Sequence, residues 1–287
     1  PPFAKRLELM RTIYDLHSHT LESDGTLTPT ELVERAARMG VQVLALTDHD
    51  VTHGIAEAQQ AAAKESGLQL VPGVEISVTW QGRTLHIIGL GVDAENTALV
   101  TGLADLRQRR NERGREIGQR LESIGVENAY AGARSYSHGD ILSRTHFARF
   151  LVDNNYAKDV GRAFKKYLSN GKVGYVHCEW VGLEECIGWI NGAGGQAVIA
   201  HPGRYAIGSG TMRRLLGEFR DAGGAGIEVV CGNNNSGEID RFARLANDFG
   251  LLASCGSDFH GPEQHWRELG RLTRFPEGCR PVWQDWH

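Results

Sequence analysis

Apolar residues along this chain occur in short blocks that alternate with segments of helical periodicity. The block at residues 41–46 lacks a regular polar alternation, as expected for a parallel strand buried on both faces, and a further strand is predicted at 196–200. Before the first of these blocks, Thr28 supplies a helix N-cap, Pro29 a favourable first turn and Gly40 a helix end. Further strands are predicted at residues 12–17, 68–71, 75–80, 84–91, 226–230 and 251–254, and helices at residues 54–66, 183–193, 211–222 and 237–249. This order predicts an α/β fold with a mostly parallel sheet, closed into a distorted barrel.

The middle of the chain has a different pattern. Residues 97–175 show helical periodicity and no convincing strand. The segment 99–124 is long and rich in arginine, and helical stretches follow at 141–153 and 160–168. We therefore expect a helical insertion that caps the barrel mouth. The predicted division is an N-terminal extension at 1–9, a barrel from 10–96 and 176–287, and a cap at 97–175.

Composition narrows the class of protein. The 287 residues carry a formal net charge of −4, which argues against a broad surface for nucleic acid such as a DNA duplex. No stretch approaches the roughly 18 apolar residues of a membrane helix, and the N-terminus lacks the apolar core of a signal peptide. The five cysteines are scattered without a CxxC motif, which favours a reducing compartment. We expect a cytoplasmic protein with no membrane and no obligate protein partner.

Histidines and carboxylates recur at the ends of the apolar blocks. His17 and His19 lie two residues apart at the end of a predicted strand and so point to the same face. Seven further candidates follow: Asp24, His49, Glu75, His86, His201, Asp258 and His260. The carboxyl ends of parallel barrel strands meet at one face, so we expect these side chains to converge there. Imidazole with carboxylate suits Mn, Fe or Zn, and the pattern predicts a polynuclear metal site.

Five motifs carry these residues in order along the chain. They are Asp15-Leu16-His17-Ser18-His19, Thr47-Asp48-His49, Gly73-Val74-Glu75, Ala200-His201-Pro202 and Gly256-Ser257-Asp258-Phe259-His260. With Asp24 and His86 they closely resemble the polymerase and histidinol phosphatase (PHP) family of metal-dependent phosphoesterases. The helical insertion and residues 143–149 are similar to the branch that contains nucleoside 3′,5′-bisphosphate phosphatases and 5′–3′ exoribonucleases.

The resemblance implies a distorted (β/α)7 TIM-like barrel and two or three divalent metal ions, Mn first and Zn or Fe as alternatives. By position, one ion is expected at His17, His19, Glu75 and Asp258. A second is expected at Glu75, His86 and His201, and a third at Asp24, His49 and His260. The resemblance makes His17, His19, Glu75, His201 and Asp258 the catalytic set.

Such a site suits phosphoryl transfer. Clustered divalent ions polarise phosphoryl oxygens and lower the pKa of a bridging water, whose hydroxide then attacks phosphorus. The candidates for contact with substrate are Asp24, Arg110, Arg113, Arg144, Thr145, His146, Lys172 and Arg204. For the arginines of residues 107–120, a solvated helix face is the alternative. The proton donor to the leaving oxygen is open between a metal-bound water and His146.

Four functions remain in competition. The first is hydrolysis of the 3′-phosphate of a nucleoside 3′,5′-bisphosphate, such as adenosine 3′,5′-bisphosphate (pAp) to AMP. The second is 5′–3′ exoribonuclease activity on short 5′-phosphorylated RNA, which is compatible with the first. A histidinol-phosphate phosphatase and a non-catalytic PHP module are the others. The expected partner is therefore a small nucleotide or a short RNA.

Overall fold

The computed structural model describes residues 12–232 and 234–286, so the predicted extension at residues 1–9 lies outside the described residues. Nine α-helices and eight strands occupy the described part of the chain. In chain order they are β1 (Tyr14–Asp15), α1 (Pro29–Arg38), β2 (Val43–Leu46), α2 (Ile55–Ala62), β3 (Gln69–Trp80), β4 (Arg83–Leu90), α3 (Thr97–Glu122), α4 (Ala129–Arg134), α5 (Arg144–Asp153), α6 (Val160–Ala163), β5 (Val181–Gly182), α7 (Leu183–Gly192), β6 (Gln196–Ile199), α8 (Ser209–Asp221), β7 (Gly226–Cys231), α9 (Ser236–Phe249) and β8 (Leu252–Gly256).

The strands form a nearly closed barrel. Their order is β1-β2-β3-β4-β6-β7-β8, and the short β5 pairs with β3. The two ends of this path meet because Leu16 N donates to Cys255 O at 3.0 Å and Asp258 N donates to His17 O at 2.9 Å. The predicted α/β fold with a distorted barrel of seven strands is confirmed, and the apolar strands and their flanking helices fill its core.

Two details of the predicted sheet are wrong. The two strands predicted at 68–71 and 75–80 are a single strand, β3 (Gln69–Trp80), which pairs continuously with β4 from Gly73 to Trp80. Moreover, β4 runs antiparallel to both β3 and β6. The cause is the two-residue turn at Gln81 and Gly82, whose φ angles are 48° and 71°. Positive φ at both positions is typical of a tight hairpin turn, which reverses the chain at once.

This hairpin projects past the barrel mouth. Pro72 pairs with Leu46, the last residue of β2, so the remainder of β3 extends beyond β2. Glu75 therefore lies inside β3, and His86 lies inside β4 opposite Ser77. The expectation that every ligand candidate follows a parallel strand is wrong for these two. They share one face of the hairpin because residues i and i+2 point to the same side.

The insertion has its own apolar core. The second half of α3 packs with α4, α5 and α6 around buried residues that include Ile117, Leu121, Phe147 and Leu151. The first half of the same 26-residue helix packs through Leu99 into the barrel core. One continuous helix thus links barrel and cap, while the exact domain division stays a prediction. Of the helices in the described ranges, none is both long and apolar enough to cross a membrane.

Candidate active site

Four ligand-type atoms converge just past β1. The Nε2 atoms of His17 and His19 lie 3.1 Å apart. Each lies 3.3 Å from Glu75 Oε2 and 3.3 Å from Asp258 Oδ1. Bonds of about 2.0–2.2 Å from a divalent ion to nitrogen and oxygen put neighbouring ligand atoms roughly 3.0–3.5 Å apart. The observed spacing therefore fits side chains that share one ion.

Glu75 is the centre of the cluster. Its Oε1 lies 2.9 Å from His86 Nδ1 and 2.9 Å from His201 Nε2. Its Oε2 lies 3.0 Å from His49 Nδ1, in addition to the two contacts described above. The carboxylate is fully buried, so its charge is balanced within the protein and not by solvent. Glu75 has the position required of a carboxylate that bridges two ions.

The remaining group surrounds Asp24. Its Oδ1 lies 3.3 Å from His260 Nε2 and 3.9 Å from His49 Nε2. The ring of His19 lies close to His260, with 4.2 Å between centroids, and one ligand atom from each of these four residues lies within 4.8 Å of the others. All nine candidates thus form one continuous cluster. Their assignment to particular ions stays a prediction.

The chemistry of these donors fits divalent cations. Four buried polar atoms of the cluster have no hydrogen-bond partner among the described residues: Asp24 Oδ1, His49 Nδ1, Glu75 Oε2 and His201 Nδ1. Burying unpartnered polar atoms is costly, and cations beside Asp24 Oδ1, His49 Nδ1 and Glu75 Oε2 would remove that cost. The set contains imidazoles and carboxylates without thiolates, as suits Mn, Fe or Zn.

Electrostatics agrees with this fit. Burial raises the pKa of Glu75, but His49 and His86 outweigh it and hold that pKa well below its ordinary value. Burial lowers the pKa of His17, but Glu228 and Glu75 outweigh it and hold that pKa well above its ordinary value. Without a cation, Glu228 and Glu75 therefore keep the His17 imidazole protonated. Ligands of a bound ion must give up such protons, so metal binding is expected to release them.

Glu228 is a functional residue that the sequence analysis missed. It lies buried within β7, where its Oε1 is 2.9 Å from His17 Nδ1 and its Oε2 accepts from His201 N at 2.5 Å. A proton on Nδ1 of His17 directs the lone pair of Nε2 toward the cluster. The available signal was a lone carboxylate in the apolar run 226–230.

We expect Glu228→Gln to weaken divalent-ion binding by about 10- to 100-fold with the fold retained. A glutamine has one acceptor oxygen, so it cannot accept from both His17 Nδ1 and His201 N. Isothermal titration with Mn²⁺ measures the change. Glu218→Gln is the matched control, because Glu218 accepts from Trp80 Nε1 away from the cluster. An unchanged Mn²⁺ affinity in Glu228→Gln would show that this carboxylate does not orient His17.

Two other carboxylates fix the loops of the site. Asp15 accepts from Ser257 N at 2.8 Å and from Gly270 N at 2.9 Å, and burial raises its pKa to about 6. It therefore anchors the loop that carries Asp258. The sequence analysis did not assign a role to this residue.

Asp48 acts on the other side, where it accepts from Thr20 N at 2.7 Å and from Ser23 Oγ at 2.5 Å. Ser23 Oγ lies 3.4 Å from His19 Nδ1, so Asp48 reaches that imidazole only through Ser23. Its main effect is to fix the backbone after His19.

A cavity of about 470 Å³ opens from the cluster toward the cap. Its lining includes Asp24, His49 and His86 from the cluster. Of the predicted substrate contacts, it also includes Arg110, Arg113, Arg144, Thr145 and Arg204. Arg83, which the sequence analysis did not select, lies in the lining as well.

Four of the five arginines of this cavity fall into two kinds. Arg110 forms a buried ion pair with Asp50, and Arg204 Nη2 lies 2.5 Å from Asp258 Oδ2. Neither Arg113 nor Arg144 has a carboxylate within 4.0 Å among the described residues. Burial and the nearby Arg144 and Arg110 lower the pKa of Arg113 to about 9. An anion beside Arg113 and Arg144 would relieve this repulsion.

His146 and Lys172 lie outside the cavity lining. Lys172 is exposed. His146 is buried in the first turn of α5, and its Nδ1 accepts from Ser143 N at 3.1 Å as part of a capping box. The structure thus gives His146 a contact that stabilises the helix start, and its role toward substrate stays a prediction.

His146 makes stability depend on pH. Burial lowers its folded pKa to about 4, against 6.5 in the unfolded chain. Between these values the unfolded chain binds a proton that the folded protein refuses, so the free energy of unfolding falls as pH drops from 6.5 to 4, by up to about 3 kcal/mol. His146→Gln keeps a capping side chain. Urea unfolding at pH 7 and pH 4 should show a smaller loss in the variant, and equal losses would contradict a neutral buried imidazole.

Comparison with known proteins agrees with this geometry. The family model of the PHP domain matches residues 15–174. The 3′,5′-nucleoside bisphosphate phosphatase of Chromobacterium violaceum is 48% identical over 272 residues, which cover 94% of this chain and 95% of that protein. The 5′-3′ exoribonuclease Rnm of Salmonella typhimurium is 45% identical over 275 residues, which cover 96% of this chain and 94% of that protein.

A solved structure gives the same result. It is that of an amidohydrolase from Chromobacterium violaceum with bound sulfate and no metal. It superposes with a TM-score of 0.91 at 48% identity and covers 95% of each chain. Because the PHP model spans more than half of the chain and the relatives match nearly all of it, we conclude that this chain belongs to the PHP family.

Proposed function

We propose that this chain is a metal-dependent phosphatase that removes the 3′-phosphate of nucleoside 3′,5′-bisphosphates and converts pAp to AMP and phosphate. The observation that carries the proposal is the set of residues that line one cavity. The cavity joins the cluster of histidines and carboxylates to Arg113 and Arg144, which lack a carboxylate partner among the described residues. A substrate with two phosphates matches these two separate regions. The similar length and 48% identity of the bisphosphate phosphatase relative support the same substrate class.

Different residues of this chain would contact the two phosphates of the substrate. Arg144 and Thr145 start α5, so a phosphate there meets a guanidinium and the positive end of a helix dipole. Arg113 lies beside them and supplies a second cation. Arg204, held by Asp258, would stabilise negative charge on the phosphate nearest the cluster. The 5′-phosphate therefore binds in the cap, which leaves the 3′-phosphate at the cluster.

The nine clustered residues would hold two or three divalent ions, of which we propose Mn²⁺ first and Zn or Fe as alternatives. When bound, these ions would polarise the phosphoryl oxygens and lower the pKa of a coordinated water. Glu75 and the six histidines shield that region from bulk solvent and fix its geometry, because all but His86 and His260 are buried.

Phosphate release from pAp tests this proposal. Enzyme at micromolar concentration with Mn²⁺ should release phosphate, detected with malachite green, and enzyme treated with a chelator should not. If no phosphate appears with Mn²⁺, Zn²⁺ or Fe²⁺ at any concentration, the proposed reaction is wrong.

A second candidate is 5′–3′ exoribonuclease activity on short 5′-phosphorylated RNA. The 45% identity to Rnm of Salmonella typhimurium favours it, and the same cavity would hold the 5′-phosphate and place the first internucleotide bond at the cluster, where water would cleave it. A ladder of products from a 5′-phosphorylated oligomer, shortened from its 5′ end, would demonstrate it. An oligomer that stays intact under conditions where pAp is hydrolysed would exclude it.

We also propose a cytoplasmic location. All five cysteines are free thiols, which is the state that a reducing compartment maintains. The substrate is then a small nucleotide or a short RNA of the cell interior.

A further inference from the structure

Helix α5 of the cap holds the turn that carries Asp24. Ser143 Oγ donates to Asp24 Oδ2 at 3.0 Å. Arg149 donates through Nη2 to the carbonyl oxygen of Asp24 at 2.8 Å and through Nη1 to that of Gly25 at 3.3 Å. One cap helix thus contacts both the side chain and the backbone of this residue.

The turn is fixed from the barrel side as well. Thr20 and Ser23 donate to Asp48, which follows β2. Gly25 N donates to Thr20 O at 2.8 Å. A Cβ at Gly25 would lie only 2.5 Å from the carbonyl oxygen of His19, so the turn is tightly packed here. The turn that carries Asp24 is therefore held between the barrel on one side and α5 on the other. A change in the position of α5 would alter its hydrogen bonds to Asp24 directly.

Ser143 fixes the orientation of the Asp24 carboxylate toward the histidines. The hydroxyl of Ser143 accepts from Thr145 N and gives its only proton to Asp24 Oδ2. Asp24 Oδ1 is left buried, without a hydrogen-bond partner among the described residues, and points toward His49 and His260. The hydrogen bond from the cap therefore orients a carboxylate of the metal cluster.

The same end of α5 lines the cavity through Ser143, Arg144 and Thr145. A phosphorylated ligand at Arg144 and an ion at Asp24 thus depend on the position of one helix start. We propose that the cap couples them, so that the ion held by Asp24 and a phosphorylated ligand bind cooperatively, with Ser143 as the positioning residue that links the two sites. The choice of ligand rests on the proposed function, whereas the effect of Ser143 on the ion does not. By linkage, each partner strengthens the other by the same factor.

Binding of Mn²⁺, followed by electron paramagnetic resonance of the free ion, tests this coupling. In the wild-type protein, saturating AMP should tighten one Mn²⁺ site, the one that includes Asp24, by about tenfold. In Ser143→Ala, that site should be weakened by about tenfold without AMP, and AMP should tighten it by less than about twofold. Ser143→Thr, which keeps the hydroxyl, should restore both values.

The control separates this effect from the loss of a helix cap. Asp159 caps α6, another cap helix, through a bond from Arg162 N at 2.8 Å, and Asp159→Ala should leave Mn²⁺ binding unchanged. Wild-type Mn²⁺ affinity in Ser143→Ala, or equal weakening in Asp159→Ala, would overturn the role of Ser143. If AMP binds, by equilibrium dialysis, without changing Mn²⁺ affinity, the coupling is wrong while the phosphatase proposal stands. If AMP fails to bind and pAp is not hydrolysed, the phosphatase proposal and the coupling are both wrong. The role of Ser143 in orienting Asp24 toward the ion is then judged by the Mn²⁺ titration alone.

Discussion

A Glu75→Gln enzyme is expected to lose at least about 10³-fold in kcat for phosphate release from pAp and to retain fewer bound ions. Glu75 lies 2.9 Å from both His86 and His201 and 3.0 Å from His49. Glutamine preserves its volume, but it removes the negative charge and turns one acceptor into a donor. The charge at the centre of the imidazoles is then no longer available to bridge ions.

Metal content by mass spectrometry and turnover at saturating Mn²⁺ measure this loss. Glu116→Gln is a suitable control, because Glu116 is exposed on α3 and pairs only with Arg120 among the described residues. Circular dichroism should show that both variants are folded. Full activity or full metal content in Glu75→Gln would contradict the bridging role.

Replacing Arg144 or Arg113 by alanine is expected to reduce kcat/KM for pAp by about 10- to 150-fold each, which corresponds to the loss of charge-assisted hydrogen bonds of about 1.5–3 kcal/mol. Both side chains line the cavity, and neither has a carboxylate partner in the described ranges. For 3′-AMP, which lacks the 5′-phosphate, we expect a change of less than about threefold.

The comparison of the two substrates makes this prediction specific. Arg162→Ala serves as the matched control, because Arg162 lies on the exposed surface of the cap and pairs with Asp159. Its kcat/KM for pAp should stay at the wild-type value. Equal losses for pAp and 3′-AMP in Arg144→Ala would mean that this arginine does not bind the 5′-phosphate.

The sequence predicts the barrel and most of the ligand cluster because both depend on local patterns. Apolar blocks without polar alternation indicate buried parallel strands, and His17 and His19 at the end of such a block share one face. The hairpin of β3 and β4 was missed because Gln81-Gly82 is a weak turn signal between two runs that each suit a parallel strand. Because β3 and β4 form this hairpin, Glu75 and His86 lie inside strands and not after them, contrary to the prediction.

Contacts between distant segments could not be predicted from one sequence. Glu228 meets His17 across 211 positions, and Ser143 meets Asp24 across 119. Neither residue has a local pattern that marks its partner. In the same way, arginine spacing on α3 could not show that Arg110 would be paired with Asp50 while Arg113 has no carboxylate partner among the described residues. Such contacts depend on how the cap packs on the barrel.

The identity of the nucleotide product from pAp tests the central claim most directly. Chromatography that separates 5′-AMP from 3′-AMP, with and without Mn²⁺, gives the answer in one experiment. With the 5′-phosphate bound by the cap arginines and the 3′-phosphate at the cluster, the product should be 5′-AMP, formed only when the metal is present. Formation of 3′-AMP, or turnover that persists after complete removal of metal, would contradict the account.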